Sequence, residues 1–209
     1  MKNSTKFEIS QNELIKYRGS EPYVTIPEGI QKVCKGAFRD CRELRQITLP
    51  ESVLEIEEEA FLLCVNLIQV RGGDHVIFIG KDAFARTPWY RFYSENETDW
   101  KEDFLFIGKV LVKARRNLRK AIIPKGTVMI AADAFYERVL LYEAEIPSSV
   151  KSLGGWMFFS CTNLRLVSFQ GSVREIQERT FSGCYELEQV LIPAGLEKIG
   201  VEAFYECTN

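Results

Sequence analysis

Six cysteines and one histidine are the residues of this 209-residue chain best suited to chemistry. Cys41 and Cys64 stand 23 residues apart, as do Cys161, Cys184 and Cys207 in turn; Cys34 lies outside this spacing. Thiols so arranged could bind zinc or form disulfides. An interval of 23 matches no Cys-x-x-Cys zinc pattern. If equivalent residues lay on neighbouring layers about 5 Å apart, distance alone would not exclude a Cys41–Cys64 bridge, but parallel side-chain directions oppose it. The favoured reading is a ladder of buried, reduced thiols acting as compact hydrophobes, which suits a cytoplasmic protein. His75 follows Asp74 in "GGDHV". Adjacent residues of an extended segment point to opposite sides, so the pair reads as a surface turn rather than an acid–base dyad. There is no nucleophile elbow, glycine-rich phosphate loop or metal-ligand cluster. The sequence therefore predicts no catalytic residue, no cofactor and no metal site, and the chain is not expected to be an enzyme.

Charge and aromatic content add two further candidates. Lys109, Lys113, Arg115, Arg116, Arg119 and Lys120 form a basic cluster, preceded by the acidic Glu95, Glu97, Asp99, Glu102 and Asp103. The cluster is either a patch for polyanions or an acidic partner or, the preferred reading, a solvated edge neutralised by its own loop. Trp89, Tyr90, Phe92, Tyr93, Trp100, Phe104 and Phe106 crowd the same region. They are of the types that anchor interfaces, and equally of the types that would fill a junction inside the molecule, which is preferred. Asn3 and Asn96 lie in Asn-x-Ser/Thr triplets, which matter only in a eukaryotic secretory pathway.

Composition bounds the partners. With 46% hydrophobic and 27% charged residues a buried core is expected and disorder is not. A net charge of −2 argues against a general nucleic-acid binder. No apolar run approaches the roughly 20 residues of a membrane helix, so no membrane insertion is expected. The start "MKNSTKFEIS" has no apolar leader region. It points to the cytoplasm, unless a leader has been removed.

What positions these residues is a repeat. Phe38, Phe61 and Phe84, then Phe135, Phe158, Phe181 and Phe204, fall 23 apart within each group; the gap between groups exceeds the period by 28. Seven copies begin at Val24, Ile47, Val70, Ala121, Ala144, Val167 and Val190. The third, seventh, tenth and twenty-first columns are apolar almost throughout, the tenth holding Val33, Ile56, Ile79, Ile130, Leu153, Ile176 and Ile199. Fixed periods of 20 to 50 residues signal a solenoid whose coils bury inward residues against their neighbours. Within a coil, "LRQITLP" alternates like a half-buried strand and ends at a proline, which cannot donate to a ladder. A second short extended piece runs to the tenth column, and "GKDAF"-type sequence reads as a short helical turn with its phenylalanine plugging the interior. The fold predicted is a predominantly β repeat solenoid.

The frames "VTIPEGIQKVCKGAFRDCREL", "ITLPESVLEIEEEAFLLCVNL" and "VLIPAGLEKIGVEAFYECTN" resemble the BspA-like class of leucine-rich repeats, over nearly the whole chain from about Phe7. The resemblance implies a leucine-rich-repeat-like right-handed coil. It also implies a kinship with surface adhesins of mucosal bacteria and some protists that recognise host matrix proteins, and so a cell-surface location if a leader was removed. No binding residue carries over, because the shared motif is structural. The frame departs in copy three, where "VRGGDHV" lacks the Ile-Pro pair and Thr87 replaces the cysteine. It departs also at Arg138 in copy four and at Gln170 in copy six, and distortion is expected there.

The 28-residue interruption has its own parallel. "FEISQNELIKYRGSEPY" (7–23) aligns with "FLFIGKVLVKARRNLRK" (104–120), matching Phe7 with Phe104, Leu14 with Leu111 and Lys16 with Lys113. Both read as a hairpin opening an array. The expected organisation is a hairpin plus three repeats over 1–92, a loop at 93–103, and a hairpin plus four repeats over 104–209, running on as one continuous solenoid. The strand face is the default binding surface of a solenoid. Here it offers Arg45, Gln46, Thr48, Gln69, Arg71, Tyr142, Glu145, Arg165, Ser168, Glu188 and Gln189 to a protein partner; plain solvated sheet is the open alternative. The competing site is the basic group Lys113, Arg115, Arg116, Arg119 and Lys120, for a polyanion, another ligand or a reaction. The seventh repeat stops at its twentieth position and no polar cap follows: either the natural protein continues, or the chain has been shortened, or the end is expected to self-associate through strand edges.

Overall fold

Repeat segments such as Gln46–Leu49 and Glu143–Ile146 alternate apolar with polar residues, so one row of side chains must turn inward and the next outward. The computed structural model describes residues 6–95, 102–192 and 194–209, with no side chains for 93–95. Asn3, Asn96, Glu97, Asp99, Trp100 and the strand-ending Pro193 lie outside the described residues, as do the side chains of Tyr93 and Glu95. The chain divides into two compact units, Met1–Phe92 and Tyr93–Asn209.

Unit 1 contains β1 (Phe7–Ser10), β2 (Glu13–Tyr17), β3 (Tyr23–Thr25), β4 (Lys32–Val33), β5 (Gln46–Leu49), β6 (Glu55–Ile56), β7 (Gln69–Gly72) and β8 (Phe78–Ile79), and helix α1 (Pro88–Glu95) begins within it. Its strands form two stacks, β3-β5-β7 and β1-β2-β4-β6-β8. The first is parallel throughout, with Val24, Ile47 and Val70 in register. In the second, β1 and β2 form the antiparallel hairpin, and β2 then continues as a parallel neighbour of β4, setting Leu14 beside Val33.

Unit 2 repeats the plan with β9 (Phe104–Ile107), β10 (Val110–Ala114), β11 (Lys120–Ile122), β12 (Met129–Ile130), β13 (Glu143–Ile146), β14 (Ser152–Leu153), β15 (Leu166–Phe169), β16 (Glu175–Ile176), β17 (Gln189–Leu191) and β18 (Lys198–Ile199). One stack is β11-β13-β15-β17. The other carries the hairpin, β9-β10-β12-β14, and β16 pairs β18 separately. Leu111 meets Ile130 as Leu14 meets Val33. Each unit is thus a β-solenoid of 23-residue coils.

The third side of each coil differs from the expected helical turn. In an α-helix every N–H would stay within the segment. Here they alternate. Ala37, Arg39 and Cys41 donate within the coil to the carbonyls of Cys34, Gly36 and Phe38, whereas Gly36, Phe38 and Asp40 donate across to Glu58, Ala60 and Leu62 of the next coil at 2.7–3.0 Å. The alternation requires left-handed residues at columns thirteen and seventeen. All seven copies have them, from Gly36 and Asp40 to Glu202 and Glu206, and only Gly36 and Gly183 are glycine. For other residues that conformation costs roughly 1–2 kcal/mol, and the cross-coil bonds offset it.

The phenylalanine column fills the interior. Phe38, Phe61, Phe135, Phe158 and Phe181 are fully buried. Ring centroids step by 4.9 and 5.0 Å from Phe38 to Phe84, and by 4.8, 5.6 and 5.2 Å from Phe135 to Phe204.

The departures from the repeat frame have local causes. Gly72 has φ +70°, and a Cβ there would lie 2.2 Å from the Leu49 carbonyl oxygen, so only glycine fits this close approach of coils. Thr87, in the cysteine column, is the N-cap of α1: its hydroxyl accepts from the Tyr90 N–H at 3.1 Å, and Pro88 takes the first helical position. Trp89 then covers the last coil, its ring 4.9 Å from Phe84 and its N–H on the Leu67 carbonyl.

Candidate functional site

The outward rows of the first stack in each unit form the candidate binding faces. In unit 1, register aligns Tyr23 with Gln46 and Gln69, and Thr25 with Thr48 and Arg71. Arg45 and Ile68 flank the rows, and both are exposed. The predicted Arg45, Gln46, Thr48, Gln69 and Arg71 therefore share one face. Tyr23, 65% exposed, belongs to it too. It sits in the same column as Gln46 but precedes the first full copy, so counting copies alone misses it.

In unit 2, Lys120, Glu143, Leu166 and Gln189 make one row and Ile122, Glu145, Ser168 and Leu191 the next. Tyr142, Arg165 and Glu188 flank them, all exposed. This face pairs its own charges. Lys120 Nζ lies 2.7 Å from Glu145 and 3.0 Å from Glu143, and these carboxylates, Glu145 first, raise its pKa. Arg165 stands 3.6 Å from Glu188 and 3.7 Å from Glu186. The predicted residues of this unit also share one face, with Ile122 and Leu191 as exposed apolar members.

The basic group does not present as one exposed patch. Lys113 is 5% exposed and donates to the Asp133 carbonyl at 2.9 Å. Burial first, then the Arg138 charge, pushes its pKa down to about 7. It is buried because β10 lies between β9 and β12 and every residue of β10 is covered. Arg115 is 2.8 Å from Asp103, and Lys120 belongs to the strand face. Arg116 and Arg119 are exposed.

The cysteine column is a hydrogen-bonded ladder. Cys64, Cys161, Cys184 and Cys207 direct their thiols at the carbonyls of Phe38, Phe135, Phe158 and Phe181, each one coil back, at 3.0–3.2 Å. All six cysteines are free. Burial pushes the Cys161 thiol up to about 12 and also raises Cys184 and Cys207, so these are poor nucleophiles at neutral pH. Arg138 takes the cysteine's place in copy four and donates from Nε to the Ala114 carbonyl at 2.8 Å. His75 is exposed, with Nδ1 3.0 Å from the Glu51 carbonyl oxygen. Among the described residues no group of three or more His, Cys, Asp or Glu side chains is placed to hold a metal ion, and no helix is long and apolar enough to cross a membrane.

Parallel strands stacked at one 23-residue period, with a buried aromatic column, define a leucine-rich-repeat solenoid. The family model described as "BspA type Leucine rich repeat region (6 copies)" matches residues 9–106 and 105–209, and the chain belongs to that family. Among solved structures, the leucine-rich-repeat protein TpLRR of T. pallidum is similar at 22% identity and TM-score 0.51, over 99% of this chain and 89% of that one. A leucine-rich cell surface protein of Faecalibacterium prausnitzii A2-165 is similar at 28% identity and TM-score 0.47, over 89% of this chain, which spans 57% of that protein's. The pneumococcal vaccine antigen PcpA is similar at 19% identity and TM-score 0.45, over 86% of this chain and 58% of its own. No curated protein matches the sequence.

Proposed function

We propose that the protein is a non-enzymatic scaffold that binds protein partners through the outward strand faces of its two units. The observation that carries this reading is the make-up of those faces. Tyr23 and Ile68 in unit 1, and Ile122, Tyr142 and Leu191 in unit 2, stand exposed on or beside the parallel rows, among hydrogen-bonding side chains. Aromatic and apolar anchors set among polar groups are what protein interfaces use. The adhesin behaviour implied by the BspA-like resemblance fits such a surface. It would place the chain at a bacterial cell surface, facing host matrix proteins.

The test is direct binding to immobilised matrix-protein preparations, comparing the unaltered chain with Tyr23→Ala, Arg45→Ala and Arg165→Ala. A loss of at least fivefold in affinity for one or more variants supports the reading. Equal binding by all of them contradicts the use of these faces. The polyanion alternative now rests on Arg116 and Arg119, and salt-sensitive heparin retention lost on changing both to alanine would favour it.

A further inference from the structure

A different side of the coils in unit 2 holds a cleft. Column sixteen carries Tyr136, Phe159, Ser182 and Tyr205 in successive copies. Tyr136 and Phe159 stack face to face, centroids 5.2 Å apart and planes 10° from parallel. Trp156 packs against Phe159 at 4.8 Å. The row then misses one ring. Ser182 is 3% exposed and forms a floor, and Tyr205, 56% exposed, resumes the row one coil later.

The space left is a cleft of about 140 Å³, whose lining includes Phe159, Arg179, Ser182, Glu202, Tyr205 and Glu206. Arg179 is held in place at its edge. Its guanidinium lies 4.6 Å from the Trp156 ring centroid and 2.5 Å from the Glu202 carboxylate. Neighbouring coils rise by about 4.8 Å, so Phe159 and Tyr205, two coils apart, are separated by about 10 Å. A planar ring between them would sit about 5 Å from each, within the range of steps kept by the interior phenylalanines. A cavity on the order of 150 Å³ is large enough for benzene. The rim carries two carboxylates against one guanidinium: Glu202 pairs with Arg179, and Glu206 accepts from the Tyr185 hydroxyl at 3.3 Å and keeps further acceptor capacity. It therefore favours a ring with a donor on its edge and disfavours an anionic one.

We propose that this cleft binds the aromatic side chain of a partner polypeptide, tryptophan or tyrosine, inserted as the missing rung between Phe159 and Tyr205. The indole N–H or phenol O–H would donate to a rim carboxylate. This site is independent of the strand faces and would give a partner a second, side-on anchor.

The test titrates the full chain, labelled with 15N, with N-acetyl-tryptophanamide and N-acetyl-tyrosinamide, following the Ser182 and Gly183 amide signals. Saturable shifts at both amides are expected, with dissociation constants of roughly millimolar size. N-acetyl-leucinamide and methyl glucoside should produce none. Tyr205→Ala should weaken the response at least fivefold, and its exposure makes it a safe change for folding. Ser182→Phe supplies the rung from within and should abolish the response. If its spectrum shows an unfolded chain, Tyr205→Ala decides alone. No shift at Ser182 and Gly183 at the solubility limit, an equal response to the leucine probe, a response to the sugar alone, or full binding by Tyr205→Ala would overturn the proposal. None of these outcomes touches the strand-face variants.

Discussion

The two hairpins open their units by the same backbone scheme with opposite side-chain solutions. Tyr17 and Ala114 occupy equivalent positions, and each donates its N–H to the alanine before the first plug, Ala37 or Ala134, at 2.9 and 2.8 Å. In unit 1 the tyrosine ring itself stacks on Phe38 at 5.0 Å, and the cysteine column opposite holds the small Cys41. In unit 2 Ala114 leaves that space open. Phe104 moves onto Phe135 edge-to-face at 6.2 Å, and the large Arg138 replaces the cysteine and reaches the Ala114 carbonyl. Large with small on one side has become small with large on the other. Hairpin lysines make the same bond in both units, Lys16 to the Gly36 carbonyl at 2.8 Å and Lys113 to that of Asp133 at 2.9 Å. Lys16 is half-buried and Lys113 buried, with Arg138 acting on its charge. The two hairpins thus keep the same backbone bond while exchanging which position carries the bulky side chain.

The far ends differ as well. Trp89 covers the last coil of unit 1, whereas in unit 2 Ile199 is 53% exposed in a column that is buried in every other copy. This contrast sets the largest expected effect. Phe61→Ala and Phe158→Ala, each inside a stack, should cost about 3–5 kcal/mol. Phe204→Ala, in the half-covered last coil, should cost less than half of that. Urea unfolding of the three variants checks the ranking, and equal losses would break it.

The hairpin contrast predicts the next effect. Lys113 has its pKa lowered from 10.5 to about 7, so between those values the unfolded chain binds the extra proton. Stability from this group therefore rises with pH across that window and is lowest at and below pH 7. Lys113→Met should stabilise the protein by roughly 1–3 kcal/mol near pH 7, and its advantage should shrink towards pH 10.5. The buried thiols act in the opposite sense, because the unfolded chain loses their protons first as pH rises; the difference between variant and parent removes their common contribution. Lys16→Met should change stability by less than 1 kcal/mol. A constant gap at all pH values would contradict the buried-charge account of Lys113. Smaller than the Lys113 effect, Thr87→Ala should cost about 1 kcal/mol through loss of the α1 N-cap, seen as a shift in the urea midpoint.

The coil period and its plugs were legible because Phe38 to Phe84 and Phe135 to Phe204 keep their spacing, and stacked coils bury such a column continuously. The hairpin alignment was legible for the same reason, through Leu14 and Leu111. Left-handed turns were not. Columns thirteen and seventeen hold residues as unlike as Glu59, Leu63, Trp156 and Arg179, so the conformation comes from cross-coil bonds rather than residue type. Helix α1 did carry a signal, the Thr-Pro pair at 87–88, hidden by reading Thr87 only as a substituted cysteine. Most of the strand face followed from the alternation. Lys113 could not be separated from its exposed neighbours by sequence, because its burial depends on β9 and β12 flanking β10. The cleft at Ser182 was equally hidden, since a gap in column sixteen has meaning only once the turns bring that column into one row.

Amide hydrogen exchange at the plug residues tests the stacking of coils most directly. Phe38, Phe61, Phe135, Phe158 and Phe181 each donate their N–H to the next coil at 2.7–2.9 Å, while among the described residues Phe204 has no such acceptor. The five should be strongly protected and Phe204 should exchange early. Fast exchange at Phe61 and Phe181, or protection at Phe204 equal to theirs, would contradict the stacked-coil account.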